Sequence, residues 1–339
     1  MADNFRRIAI VTDAYYPHVS GVARTIEATC RELTRTGHTV KIIAPRDFPF
    51  KIPAPLYPEI DLTLFPDGRL WKMLDEFNPS SLHIAVEGPL GLSARAYAKR
   101  RGIHFTTAYH TRFPEYLKTL AGIPESWTYG YARWFHGGGD RVMVTAENIK
   151  KELEDHGFKN CALWSRGVDF ELFKPENPME LKGEKPIFMY MGRVSHEKNI
   201  ETFLSLDVGG TKYVVGDGPA KKMLEKKYPD TIFTGYKFGE ELARHIAAAD
   251  VFVFPSLTDT FGLVMLEANA CGTPVAALPS QASRAVVREG KSGCVREDLK
   301  EAIVCALKLD RKGVREVALQ FGWDKPTKMF IDNLVPTRT

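Results

Sequence analysis

The sequence has few cysteines and no long hydrophobic run. Its 339 residues include five cysteines, an odd number without any Cys-x-x-Cys spacing. This pattern favours reduced thiols, mostly packed as small apolar residues, in a reducing compartment. No segment approaches the ~18 consecutive apolar residues of a membrane-spanning helix, and the apolar part of MADNFRRIAIVTD is too short for a signal peptide. We therefore expect a cytoplasmic protein that does not cross a bilayer.

An excess of charge of one sign is also lacking. The formal net charge is +4, and the basic residues are scattered over both halves of the chain. A polycationic segment would suggest nucleic acid as a partner, so we expect none. The composition, 44% hydrophobic and 26% charged, is that of a globular protein. Single cores stop growing at roughly 250 to 300 residues, so the length allows two domains.

Two short motifs are missing as well. No Gly-x-Gly-x-x-Gly string opens either half, which argues against a nicotinamide-dependent dehydrogenase. No Asp-x-Asp triplet occurs, so a diphosphate bridged by a metal ion is not expected, and we predict neither a metal site nor a cofactor.

Apolar runs alternate with amphipathic segments along the whole chain. Buried strands are predicted at 7–13, 81–88 and 103–110 in the first half, and at 185–193 and 212–218 in the second, with helical periodicity between them. This alternation predicts an α/β protein with two doubly wound, Rossmann-like parallel-sheet domains.

The stretch LTDTFGLVMLEANACGTPVAA (257–277) places Asp259 and Glu267 eight positions apart after a buried strand. Asp259 is an N-cap type, so a helix is predicted to begin there, and eight helical residues rise about 12 Å. That is too far for two carboxylates to act on one bond. They could instead hold the two ends of an extended ligand such as a nucleotide sugar. The alternative is a capping aspartate and a surface glutamate.

Cations that could bind a diphosphate follow another strand. Arg193 and Lys198 lie in MGRVSHEKN, and arginine can fork two phosphate oxygens. Gly21 opens a helix after the first strand, and Gly216 lies in the strand-end turn GDGP, where backbone can approach a phosphate closely. A solvated loop is the alternative for the basic pair.

The strings DAYYPHVSGVART, TAYHTRFPEY, YMGRVSHEKN, VVGDGP, AADVFVFPS and DTFGLVMLEANACGTPVAA, in this order, resemble the signatures of retaining, family-4-type glycosyltransferases with the GT-B fold. The resemblance spans nearly the whole chain. It implies two Rossmann-like domains that face a cleft, with the acceptor domain at 1–168 and the nucleotide-sugar domain at 169–321. It also implies that a helix within 322–339 rejoins the first domain.

Roles for individual residues follow from that resemblance alone. Glu267 would hold the ribose, and the usual Glu-x7-Glu pair would here begin with Asp259, which is one methylene shorter and would face the donor sugar. Arg193 and Lys198 would neutralise the leaving diphosphate, and His110 would lie near the sugar. The remaining donor contacts implied are Gly21, Gly216, Tyr236, Phe261, Gly262 and Leu263.

The acceptor is indicated less directly. The segment 111–136 is rich in aromatic residues, which suit either a membrane interface or a helix pair in a core. The wording YHTRFPEYL is most similar to members that glycosylate lipids such as diacylglycerol, or to sulfolipid-type synthases. The resemblance thus implies a metal-independent, peripheral enzyme on the inner face of the cell membrane that uses a nucleotide sugar, by default a UDP-sugar.

Three competing interpretations remain open at this point. The acceptor could be a non-lipid saccharide. A sugar-nucleotide 2-epimerase on the same fold would need no acceptor, and a non-catalytic sugar-nucleotide sensor would need no intact cation pair.

Overall fold

The computed structural model describes residues 6–16, 21–54, 57–110, 114, 117–118, 122–259 and 261–338. The chain divides into two compact units. Unit 1 comprises Met1–Ser165 with Trp323–Thr339, and unit 2 comprises Arg166–Gly322.

Unit 1 is built on a parallel sheet with the strand order β2-β1-β5-β6-β7-β8. A hairpin of two antiparallel strands, β3 and β4, lies outside this sheet and was not predicted. The strands are β1 Arg7–Val11, β2 Thr39–Ile43, β3 Lys51–Ala54, β4 Tyr57–Thr63, β5 Ser81–Ile84, β6 Thr106–Tyr109, β7 Arg141–Val144 and β8 Cys161–Leu163. The helices are α1 Gly21–Arg35, α2 Asp67–Phe77, α3 Pro89–Arg101, α4 Glu125–His136 and α5 Glu147–Asp155.

Strand β1 shows why this sheet carries helices on both faces. Alternate residues of a strand point to opposite faces, and here Ile8 and Ile10 join the core that includes Ile26 of α1. Ala9 and Val11 join a second core on the other face, with Leu70 of α2. A strand that is buried on both sides reads as a continuous apolar run, which is how it was predicted.

Unit 2 repeats the architecture with the strand order β11-β10-β9-β12-β13-β14, again entirely parallel. Its strands are β9 Ile187–Met191, β10 Thr211–Val215, β11 Ile232–Gly235, β12 Val251–Phe254, β13 Val275–Ala277 and β14 Gly293–Val295. Its helices are α6 Ile200–Leu204, α7 Lys221–Lys227, α8 Gly239–Ala248, α9 Leu263–Ala270, α10 Gln281–Val286, α11 Leu299–Ala306 and α12 Arg311–Ala318. The prediction of two doubly wound parallel-sheet domains is confirmed.

The last helix, α13 (Asp324–Asn333), packs on unit 1. Phe330 is fully buried there, with its ring centroid 4.8 Å from that of Trp164 and 5.0 Å from that of His83. The Asn333 side-chain amide donates a hydrogen bond of 2.7 Å to the Leu163 carbonyl at β8. The segment after unit 2 thus completes the core of unit 1.

Two of the five cysteines are not thiols. Cys294 on β14 and Cys305 on α11 form a disulfide, whereas Cys30, Cys161 and Cys271 are free. The expectation of reduced thiols throughout is therefore wrong for this pair. The two positions are 11 apart in sequence, a spacing without a motif, and they meet only because α11 packs along β14.

The helices of both units are short or amphipathic. Within the described ranges, none is both long enough and apolar enough to span a bilayer.

Candidate functional site

The loops that follow β9 and β12 are held together at the carboxyl edge of the unit 2 sheet. The ammonium group of Lys198 lies 2.7 Å from Oδ1 of Asp259, and both side chains are largely buried, at 17% and 23% exposure. The Asn199 side chain donates to the Pro255 carbonyl at 3.1 Å. Because β9 and β12 are neighbours in the sheet, residues 61 positions apart become an ion pair at the edge where open α/β sheets bind ligands.

Arg193 lies on the same loop as Lys198, directly after β9. Its side chain is half-buried, and its carbonyl accepts a hydrogen bond of 2.8 Å from the Tyr190 hydroxyl. The loop after β9 therefore carries two cations at the carboxyl edge of the sheet.

Gly216 has a packing reason that the sequence did not reveal. Its φ is +151°, and its backbone lies against the loop that follows β9. A side chain does not fit there, since a Cβ would lie 1.8 Å from the Gly192 carbonyl oxygen. The Val194 amide also donates to the Asp217 carbonyl at 2.9 Å. The turn after β10 thus supports the loop that carries Arg193 and Lys198.

Helix α9 begins later than the sequence predicted. Its N-cap is Gly262, in the left-handed conformation with φ +75°, and no side chain of the described residues caps the helix. Asp259 therefore does not cap it, and the estimate of a continuous eight-residue helical rise to Glu267 is wrong. Because no described side chain caps α9, its first amides, which begin four residues after Asp259 at Leu263, are available to an anion. Oδ2 of Asp259 has no hydrogen-bond partner in the part of the chain that the structure describes.

Glu267 is buried on α9, at 5% exposure, which is inconsistent with a surface acid. Burial, with a smaller contribution from the Glu267 carboxylate, raises the pKa of Cys271 to about 12. The Cys271 thiol therefore remains protonated and unreactive at neutral pH. Phe261, just before the helix, is also buried, at 7% exposure.

Tyr236 lies on the exposed side of the loop after β11. Its ring is 43% exposed and stacks near Phe238, with 6.1 Å between centroids. Its hydroxyl donates to the Asp217 carbonyl at 3.1 Å. The loops after β10 and β11 are therefore also connected at this edge.

In unit 1, the two predicted residues lie after β1 and β6. Gly21 is the first residue of α1, and a Cβ there would meet no atom of the described residues within 4 Å. His110 follows β6 directly and is 9% exposed, with its ring edge-to-face against Trp164 at 5.5 Å.

The aromatic residues of 111–136 divide between surface and core. On α4, Trp127 and Trp134 are 74% and 53% exposed, whereas Tyr129 and Phe135 are buried. Phe113 and Tyr116 lie outside the described residues. The core interpretation is confirmed for Tyr129 and Phe135, and a membrane interface at the two exposed tryptophans stays a prediction.

Comparison with known proteins identifies the family. The model for Glycosyltransferase Family 4 matches residues 19–172, and the model for Glycosyl transferases group 1 matches residues 185–309. A GDP-mannose-dependent alpha-mannosyltransferase of Mycobacterium tuberculosis is 30% identical over 316 residues, which cover 85% of this chain and 82% of the relative. The chain belongs to the family 4 glycosyltransferases.

A second relative of this glycosyltransferase bears a different name. The alpha-monoglucosyldiacylglycerol synthase of Streptococcus pneumoniae is 30% identical over 312 residues, covering 80% of this chain and 70% of the relative. Among solved structures, a sucrose-phosphate synthase from Thermosynechococcus elongatus superposes with a TM-score of 0.74 at 20% identity, covering 96% and 98% of the two chains. This likeness confirms the GT-B fold.

The glycosyltransferase has a buried polar cluster in unit 1 that sequence reasoning missed. Asp13, after β1, accepts hydrogen bonds from the Leu90 and Gly91 amides at the start of α3, at 2.9 and 3.1 Å. Glu87, after β5, lies 2.8 Å from Nε2 of the fully buried His136. The available signal was an acid in VEGP, at the end of the predicted strand 81–88.

Asp13 makes the stability of the glycosyltransferase depend on pH. Burial, which outweighs the two amide hydrogen bonds, raises the pKa of Asp13 from 3.8 to about 7, and the nearby Glu87 adds to the rise. The folded state therefore holds this proton more tightly than the unfolded state, and stability falls as pH rises from about 4 to about 7. From pH 5 to pH 8 we expect Asp13 to cost on the order of 3 kcal/mol.

Urea unfolding at these two pH values measures the effect. In Asp13→Asn, the decrease in the free energy of unfolding that Asp13 causes between pH 5 and pH 8 should be absent. In Asp75→Asn, at an exposed position, the free energy of unfolding should fall with pH as it does in the wild type. An unchanged slope in Asp13→Asn would show that another group is responsible.

Proposed function

We propose that this enzyme transfers a glycosyl group from a nucleoside-diphosphate sugar to a hydroxyl group of a membrane lipid, with retention of configuration and without a metal ion. The observation that supports the donor half is the cationic edge of unit 2, where Lys198 pairs with Asp259 beside the uncapped start of α9. The name of the S. pneumoniae relative, a glucosyldiacylglycerol synthase, supports the lipid acceptor.

In this proposal unit 2 binds the donor. Lys198, Arg193 and the first amides of α9 absorb the charge of the leaving diphosphate, so that no metal ion is needed for that purpose. Glu267 accepts hydrogen bonds from the ribose, and Asp259 from the donor sugar. Phe261, Gly262 and Leu263 contribute backbone, and Gly216 and Tyr236 line the side of the base.

Unit 1 binds the acceptor in this proposal. Gly21 allows backbone to approach a phosphate, since no described atom occupies the space beside it. His110, which follows β6, is the residue of unit 1 that we assign to the sugar. The acceptor oxygen attacks the anomeric carbon on the face that the diphosphate leaves. The bond from that carbon to the phosphate oxygen breaks, and this oxygen takes the acceptor's proton.

A screen of donors identifies the nucleotide that carries the transferred sugar. UDP was the expectation, yet the M. tuberculosis relative is named for GDP-mannose. Radiolabelled UDP- and GDP-sugars are incubated with the enzyme and total membrane lipid, and the products are separated by chromatography. We expect label from one nucleotide sugar in the lipid fraction. Label only in water-soluble saccharide would contradict the lipid acceptor, and acceptor-independent release of nucleotide would indicate a 2-epimerase.

Access to a lipid requires contact with the inner face of the cell membrane. Trp127 and Trp134, seven residues apart on α4, project from the same side of the helix, and tryptophan is enriched at bilayer interfaces. We expect Trp127→Ala/Trp134→Ala to weaken vesicle partitioning by about tenfold or more, because burial of even ~60 Å² of apolar surface contributes about 1.4 kcal/mol.

Flotation with vesicles of phosphatidylglycerol and phosphatidylcholine measures this partitioning. Phe238→Ala, which removes a similarly exposed aromatic ring from unit 2, is the control and should float like the wild type. A wild-type protein that remains in the soluble fraction would argue against the peripheral location.

A further inference from the structure

Glu87 is held in one orientation at the carboxyl edge of the unit 1 sheet. It follows β5, its Oε1 atom lies 2.8 Å from Nε2 of His136, and its carbonyl accepts a hydrogen bond of 2.7 Å from the Tyr131 hydroxyl. The His136 ring is fixed in turn, because Nδ1 lies 2.9 Å from the Thr107 hydroxyl on β6. One carboxylate oxygen is thus held directly by α4, through His136, and indirectly by β6, through the contact of Thr107 with His136.

The other oxygen of Glu87 is different. The side chain is 17% exposed, and Oε2 makes no hydrogen bond to any residue that the structure describes. No lysine or arginine of the described ranges forms an ion pair with it. Oε1 fixes the orientation of the carboxylate, and Oε2 can therefore accept a hydrogen bond from a ligand.

The local charge restricts what that ligand can be. Asp13 lies close to Glu87. The Asp13 carboxylate packs against Gly88, the residue after Glu87, since a Cβ on Gly88 would come within 2.4 Å of the Asp13 Cγ atom. Both acids also act on Tyr131, whose pKa is raised to about 12 by burial, then by Glu87 and by Asp13, against a smaller opposite effect of Arg95. A phosphate placed here would be repelled, whereas an alcohol would be bound.

We propose that Glu87 is an acceptor-binding residue, which accepts a hydrogen bond from a hydroxyl group of an uncharged head group. The proposal rests on the function proposed above and specifies it, since it selects lipids with a free alcohol over lipids with a phosphate at the reactive end. His136 positions the carboxylate and does not contact the ligand.

A purely structural Glu87–His136 pair would make a different prediction. Glu87→Gln retains an oxygen for His136 but replaces the free acceptor oxygen by an amide donor and removes the charge. If the pair only fixes α4 on the sheet, this variant should bind ligands like the wild type. Glu152→Gln is the matched control, because Glu152 is a glutamate on α5 that accepts a hydrogen bond of 3.2 Å from Tyr129 on α4, the helix that also carries His136.

Binding to the full chain is measured by calorimetry with two soluble probes, 1-octanoylglycerol and its 3-phosphate. Wild type should bind the alcohol more tightly than the phosphate. Glu87→Gln should bind the alcohol about 10- to 100-fold more weakly, as expected for a hydrogen bond to a charged group. Glu152→Gln should match the wild type, and the affinity of every variant for the nucleotide-sugar donor should be unchanged.

Three results would overturn the assignment: wild type that binds neither probe, wild type that prefers the phosphate, or Glu87→Gln with wild-type affinity for the alcohol. Failure of the proposed transfer reaction is detected separately, by the donor screen, because the binding measurement requires no turnover.

Discussion

Replacement of Arg193 or Lys198 by alanine should lower kcat by about 10²- to 10³-fold, the usual cost of removing one preorganised donor to a developing charge. Both cations follow β9 at the ligand edge of unit 2, and Lys198 is already held by Asp259 before any substrate binds. Such a preorganised charge need not be reoriented during the reaction. The measurement is kcat at saturating donor, with circular dichroism to verify the fold.

Two further variants make this prediction specific. Lys226→Ala removes an exposed cation from α7 and should leave kcat unchanged. Lys198→Ala/Asp259→Asn removes the ion pair as a whole. The comparison is with Asp259→Asn alone. If Lys198 only neutralised Asp259, the double variant would be as fast as Asp259→Asn, whereas a role toward the diphosphate makes it slower than that single variant. An Arg193→Ala/Lys198→Ala enzyme within about tenfold of wild type would contradict the assignment of the site.

Phe330→Ala should destabilise unit 1 by about 3 to 5 kcal/mol, the typical cost of truncating a fully buried phenylalanine. The ring fills the space between His83 and Trp164, so its removal leaves a cavity at the centre of the contact between α13 and the sheet. All five tryptophans lie in unit 1, so the fluorescence change on urea unfolding reports on this unit alone.

Phe65→Ala is the matched control for Phe330→Ala. Phe65 is a phenylalanine of the same unit that is 90% exposed, so its truncation should change the free energy of unfolding by less than about 0.5 kcal/mol. Equal effects of the two substitutions would mean that α13 is not part of the folded core of unit 1.

The parallel sheets could be predicted from the sequence because their strands are buried on both faces. In β9 every residue is buried, so the segment reads as an uninterrupted apolar run with a turn at each end. The site could be predicted in part for a related reason. Arg193, Lys198 and Asp259 each follow such a run, and the carboxyl ends of parallel strands meet at one edge.

The rest depends on contacts between distant residues, which a local pattern does not contain. Asp259 is a good N-cap type, but Gly262 adopts the left-handed conformation and moves the start of α9, which leaves Asp259 to pair with a lysine 61 residues away. The Glu87–His136 pair spans 49 residues, and the Cys294–Cys305 disulfide has a spacing without a motif. In each case local propensity allowed several outcomes and tertiary packing selected one.

The return of α13 to unit 1 has a consequence for the order in which the enzyme is made. Unit 2 is continuous in sequence, whereas unit 1 needs residues on both sides of it. A ribosome adds roughly 5 to 20 residues per second, so unit 2 can complete its own fold while the sheet before it still awaits its closing helix. During that interval the apolar surface around Trp164 is uncovered, and chaperone capture of nascent chains that stop before residue 323 should exceed that of full-length chains.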